Sequence, residues 1–223
     1  MPAFLKLCIL ASLLWTACAP MKQHDSSSQV DRLATRLSTC NVADMANGLS
    51  MDPQVNTVWN EYPDPGLYTA LVEDAQRPAP VRFAAVLILR SKSAEQFKKT
   101  NPQAVAQVLA TALKLDLAGY AAPWGWLWAP GDPLGLLGQI FIEIGRPAQQ
   151  PLEALLDDTT ARDTYPGSEE ATEMAMRRYR VKDFAAFYLA KILKLDLPWA
   201  QDLTRRDEAI AKLRKQLPAA PPS

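Results

Sequence analysis

Histidine is almost missing from this 223-residue chain: there is one, His24, in a polar N-terminal stretch. A nucleophile served by histidine and a histidine-bearing metal site are therefore excluded from the body of the protein. No glycine-rich phosphate loop and no Gly-x-Ser-x-Gly elbow occurs, so two common nucleotide-binding and hydrolase signatures are absent too. No sign of charge is in excess, with 24 Lys plus Arg against 24 Asp plus Glu. A long-range field that would recruit nucleic acid or an acidic membrane surface is thus not expected. Cysteine is scarce: of Cys8, Cys18 and Cys40, only Cys40 belongs to the body, and it has neither CxxC spacing nor a histidine nearby. It reads as a small buried hydrophobe. Segments that alternate apolar and polar residues are nearly lacking, which argues against strands.

What is present begins with an address. Met1 to Lys6 supplies a positive start, LCILASLLW an apolar run, and TACAP a small-residue end, the order of a signal peptide. The run is too short to cross a bilayer, which takes about 20 apolar residues. Two processing routes meet at its end. Ala17-Cys18-Ala19 fits small-x-small cleavage before Pro20, a proline that handicaps the cut. Leu14, Thr16, Ala17 and Cys18 instead resemble a bacterial lipoprotein signal. That resemblance implies a lipidated Cys18 as first mature residue and, with Ala19 behind it, export to the outer membrane facing the periplasm. The expected division is a signal peptide over 1–17, a lipid-anchored flexible tether over 18–29, a helical domain over 30–217 and a frayed tail over 218–223.

From Val30 the chain reads as helices parted by proline-rich turns, and 48% hydrophobic residues are enough for a real core. In NPQAVAQVLATALKL, Val105, Val108, Leu109, Ala112 and Leu113 share one face, opposite Gln103, Gln107, Thr111 and Lys114. DPLGLLGQIFIEIG is apolar on nearly every side and predicts a wrapped helix, with Gly145 ending it and PLEALLDD starting the next. Phe184, Phe187, Tyr188, the Lys191 stem and Ile192 form the inward face of a further helix. A last helix starts with Thr204 as cap and Asp207 three residues on, and turns Ile210, Leu213 and Leu217 inward. The stretch from Cys40 to Pro65 shows no assignable pattern.

Internal echoes accompany the helices: VRFAAVLIL from Val81 against VKDFAAFYL from Val181, and LKLDL at 113 and again at 193. Val81, Arg82, Ala85 and Leu89, followed by Gly145, Pro151, Leu152, Leu155, Leu156 and Asp158, resemble HEAT repeats of the phycobilisome-lyase-like type. The resemblance covers roughly 67–217 and implies an all-α fold, a short α-solenoid of about three to four stacked hairpins. First helices near 81, 134 and 181 are about 53 and 47 residues apart, long for such units, and the excess lies in two insertions.

The first insertion carries Trp124, Trp126 and Trp128, which either grip a peptide, glycan or bilayer interface or roof the core between hairpins. The second closes on Arg177, Arg178, Arg180 and Lys182, either a receptor for phosphate or carboxylate or a surface network neutralised by Asp157, Asp158, Asp163 and Asp183. Asp157 and Asp158 are the paired carboxylates on which an enzyme reading would rest, and their adjacency points them apart. The expectation is therefore a protein-binding or scaffold lipoprotein, not an enzyme, without metal or cofactor. Membrane contact is expected through the lipid alone. A partner protein would meet an outer ridge bearing Gln107, Thr111, Lys114, Gln149 and Glu153.

Overall fold

Proline starts helices in this chain more often than it ends them. In the computed structural model, which describes residues 23–48, 51–118, 136–161, 178–198 and 202–219, Pro53, Pro65, Pro80 and Pro102 all stand in first turns. A first-turn proline gives up an N–H that has no helical partner there anyway. Before Pro53, Pro65 and Pro102 the preceding residue is the cap. Asp52 accepts from the N–H groups of Gln54 and Val55, Asp64 from Gly66, and Asn101 from Gln103 and Ala104. The patternless stretch from Cys40 to Pro65 thus contains α2 (Val42–Gly48), α3 (Pro53–Glu61) and the start of α4 (Pro65–Glu73). Two Asp-Pro pairs were the legible signal there.

The remaining elements are α1 (Gln23–Ser38), α5 (Ala79–Lys92), α6 (Ala94–Lys99), α7 (Pro102–Leu115), α8 (Leu136–Ile144), a 3-10 turn (Arg146–Ala148), α9 (Gln149–Glu153), α10 (Val181–Leu193) and α11 (Leu203–Arg214). The fold is all-α, with one isolated bridge between Ala161 and Arg180 among the described residues. Helix α1 reaches back to Gln23 and so takes in residues 23–29 of the segment expected as a tether. The signal segment and Cys18 lie outside the described residues.

Helices α5 and α10 hold the core. Val81 to Leu89 are nine consecutive buried residues, because α1, α2, α3, α4, α6 and α7 all pack on α5. Phe184 to Ala190 are likewise buried in α10, which packs on α8, α9, the 3-10 turn and α11. Helix α7 joins the two groups: it touches α4 and α5 on one side and α8, α9 and the 3-10 turn on the other. The stripe Val105, Val108, Leu109, Ala112 and Leu113 is buried as its periodicity demands, each larger side chain contributing about 1.5–3 kcal/mol.

The two Phe-Ala-Ala helices are both central, yet their basic residues differ in role. Arg82 is buried and its Nε and Nη2 both donate to the Val72 carbonyl in the last turn of α4, where a cation suits the helix dipole. Lys182 pairs with Asp207 of α11. The LKLDL echo is not structurally equivalent either. Asp116, its fourth residue, takes the left-handed conformation after α7, whereas after α10 the second residue, Lys194, does so. Both ends close in the same way, Leu117 N–H to Ala112 and Leu195 N–H to Ala190. The identical letters are therefore two positions out of register, and Leu115 is left 53% exposed.

Helix α8 runs against α10 at a glycine. A β-carbon at position 138 would sit 2.8 Å from the Tyr188 hydroxyl oxygen, closer than side chains tolerate. Phe141, one turn on, stacks on the Tyr188 ring at 5.1 Å. The Tyr188 hydroxyl is buried with no hydrogen-bond partner among the described residues, and burial drives its pKa upward. An unsatisfied buried hydroxyl costs about 1–3 kcal/mol. Tyr188→Phe keeps the stacking and is expected to raise stability by about 1 kcal/mol, measured as an upward shift of the urea midpoint.

Candidate functional site

A break between two helices opens a concavity among the described residues. Ser93 ends α5 and begins α6 with φ −145° and ψ 69°, so the short α6 folds away from the axis of α5 and turns Phe97 inward. Thr100 is extended and buried, its hydroxyl 3.2 Å from that of Thr69, and the Asn101 N–H donates to Glu73 at 2.9 Å, which fixes where α7 begins. Between these elements and the end of α8 lies a cleft of about 200 Å³. Phe97, Val105 and Ile144 supply apolar wall, while Arg90, Lys98 and Glu143 supply charge. That volume is below the roughly 300–1,000 Å³ of small-molecule sites and suits a single large side chain.

The charges in the cleft are held differently. Arg90 reaches from α5 to α8, its Nη2 2.7 Å from Glu143 Oε1, and its guanidinium lies over the Phe97 ring at 5.4 Å. Two partners and 21% side-chain exposure make it a fixed cation. Lys98 meets Glu95 at 3.0 Å with side chains 67% and 80% exposed, so solvent screens the pair and it exchanges easily. The hydrogen bond from Lys98 holds the Glu95 carboxyl below its usual range.

A second cluster ties α10 to α11. Asp183, fully buried, accepts from Arg206 Nη1 at 2.8 Å, from Arg180 Nε and Nη2, and from the Arg180 backbone N–H. Asp207 takes Arg180 and Lys182, each at 2.8 Å, and the hydrogen bond from Arg180 is the main reason its carboxyl is pulled down in pKa. The Arg206 guanidinium also sits over the Tyr179 ring at 5.2 Å. These contacts tie α10 to α11 as a structural clasp.

Several expected site residues fall elsewhere. Trp124, Trp126, Trp128 and Arg177 lie outside the described residues. Gln107 and Lys114 are exposed on α7, and Thr111 between them is half-buried with its hydroxyl spent on the Gln107 carbonyl. Gln149 does not belong to an outer ridge. It is fully buried, and its Nε2 donates to Glu153 Oε1 and to the Pro218 carbonyl, each at 2.7 Å. Gly145, at φ +69°, and the 3-10 turn rotate it inward, and the segment after α11 comes back over it. Glu153 is half-buried in the same contact.

Arg178 is exposed, but Arg180 is committed to Asp183 of α10, one of the expected partners, and to Asp207 of α11, so the basic cluster is neutralised from both helices. Asp157 pairs instead with Arg214. Asp202, not Thr204, caps α11, accepting from the Arg205 N–H. Cys40 is half-buried beside Arg36.

Neither a protein-family model nor a curated protein nor a solved structure matches this chain. Among the described residues no group of three or more His, Cys, Asp or Glu side chains is placed to hold a metal ion, and no helix is long and apolar enough to cross a membrane. The cleft residues escaped sequence reading because they come from four elements. One signal was available: Glu143 and Arg90 are the isolated charges of two otherwise apolar stretches, IFIEI and VLILR. Opposite lone charges on buried helices have reason to find each other.

Proposed function

We propose that this chain is an exported lipoprotein of a bacterial envelope whose helical body, a short α-solenoid resembling HEAT repeats, binds a partner protein. The observation that carries the reading is α7. It is buried on one side by both halves of the fold, presents Gln107 and Lys114 outward, and borders the cleft at its N-terminal end through Val105. A rigid helix with an exposed polar stripe beside an apolar recess has the core-and-rim makeup of a protein contact. Anchoring is supported by Leu14, Thr16, Ala17 and Cys18.

Two measurements test this. Labelled palmitate is expected to enter the wild-type chain in cells and not Cys18→Ser; equal incorporation would remove the anchor from the proposal. A photo-crosslinking amino acid at Gln107 is expected to trap one discrete adduct in intact cells, while the same probe at Glu208, exposed on α11, does not. Identical smears from both positions would count against a specific partner face.

A further inference from the structure

We infer that the cleft between α5, α6, α7 and α8 is the anchor pocket of that protein contact, and that it takes an acidic peptide segment with one large apolar side chain beside a carboxylate. The inference rests on the protein-binding reading and adds the partner's chemistry. The pocket is sized for one side chain, and its apolar wall is Phe97, Val105 and Ile144, from three different elements. An anchor residue there would cover the half-buried Ile144 and lie over the edge of the nearly buried Phe97 and Val105, a small desolvated contact of the kind interface hot spots use.

Charge selects the flank. Two cations and one anion line the cleft, and the anion, Glu143, is already bound by Arg90 at 2.7 Å. Lys98 is the cation that can change partners, since its pair with Glu95 is solvent-exposed, and exposed Lys99 stands next to it in sequence. An incoming Asp or Glu would meet Lys98 at the rim while its apolar neighbour enters the recess. A basic flank would face Lys98 and Lys99 and find its only lining carboxylate occupied. Arg90, held by Glu143 and by the face of Phe97, is neutralised and fixed in the wall, so the net positive charge at the rim comes from Lys98 and Lys99.

The test is selection from a random dodecapeptide phage library on the full chain, followed by titration of the enriched peptides. The expected peptides carry a large apolar residue within about two positions of Asp or Glu. Lys98→Glu, a change at an exposed position that leaves the melting curve in place, is expected to weaken them about tenfold and to enrich basic flanks in a fresh selection. Ile144→Arg, which narrows the recess, is expected to abolish binding, and an unchanged circular-dichroism spectrum excludes unfolding as the cause.

Basic or purely polyanionic winners, or winners indifferent to both variants, overturn the inference. If Gln107 crosslinks a partner while no peptide is enriched, this pocket assignment fails and the protein-binding reading stands. If neither gives a signal, both fall.

Discussion

Asp183→Ala is expected to lower the unfolding free energy by about 3–5 kcal/mol, the cost of breaking a buried ion pair from one side. A domain whose whole stability is about 5–15 kcal/mol would then sit near its threshold. The magnitude follows from what the carboxylate serves. It accepts from the guanidinium of Arg206, from that of Arg180 and from the backbone N–H that opens α10. Its loss strips the carboxylate from Arg206, only 1% exposed, at the joint between α10 and α11.

The reverse substitution should be milder. With Arg206→Met, Asp183 keeps Arg180 and the backbone N–H, and the methionine fills the place against Tyr179, so a loss of about 1–2 kcal/mol is expected. Urea unfolding of the three proteins measures both. An Arg206→Met loss equal to or greater than that of Asp183→Ala would mean that the clasp is organised around the arginine instead.

Phe83→Ala is expected to cost a similar 3–5 kcal/mol by emptying the middle of α5, whose residues from Val81 to Leu89 are buried by six neighbouring helices. Leu115→Ala, at the exposed end of α7, should move stability by no more than about 0.5 kcal/mol. Both truncate a large apolar side chain to alanine, and burial rather than the modest difference in side-chain size accounts for most of the contrast. The expected readout is a large fall in the denaturation midpoint for Phe83→Ala at unchanged m-value, and a superimposable curve for Leu115→Ala.

The apolar stripe of α7 was legible because a helix half exposed and half covered writes its environment at a period of 3.6. Helix α5 was legible as apolar, but its nine-residue buried run has no period, so no pattern says which helices surround it. The helices α2 and α3 were not read, because they are short and their one local signal at α3 is the cap Asp52 before Pro53. The echo LKLDL misled most. Five identical residues end two helices at different points, because α7 stays helical through Leu115 while α10 ends at Leu193, and the packing around each decides the last turn.

Gln149 carries the same lesson for the site. As one letter on a helix start it reads as a surface amide, and only the return of the chain after α11 makes it an interior bond to Pro218. For Arg180 the neighbouring Asp183 was a readable partner, whereas Asp207 reaches it only because α11 packs alongside.

By itself, then, the amino-acid sequence determined the all-α class and the buried stripe of α7. Each of these depends on interactions within about two turns of chain, where spacing alone sets the geometry. Tertiary structure alone decided that Arg90 meets Glu143, that Asp183 holds Arg206, that Gln149 turns inward and that a recess opens between four helices. Those outcomes join residues 23 to 69 positions apart, and which helices lie side by side is settled by the shared burial of many apolar faces at once.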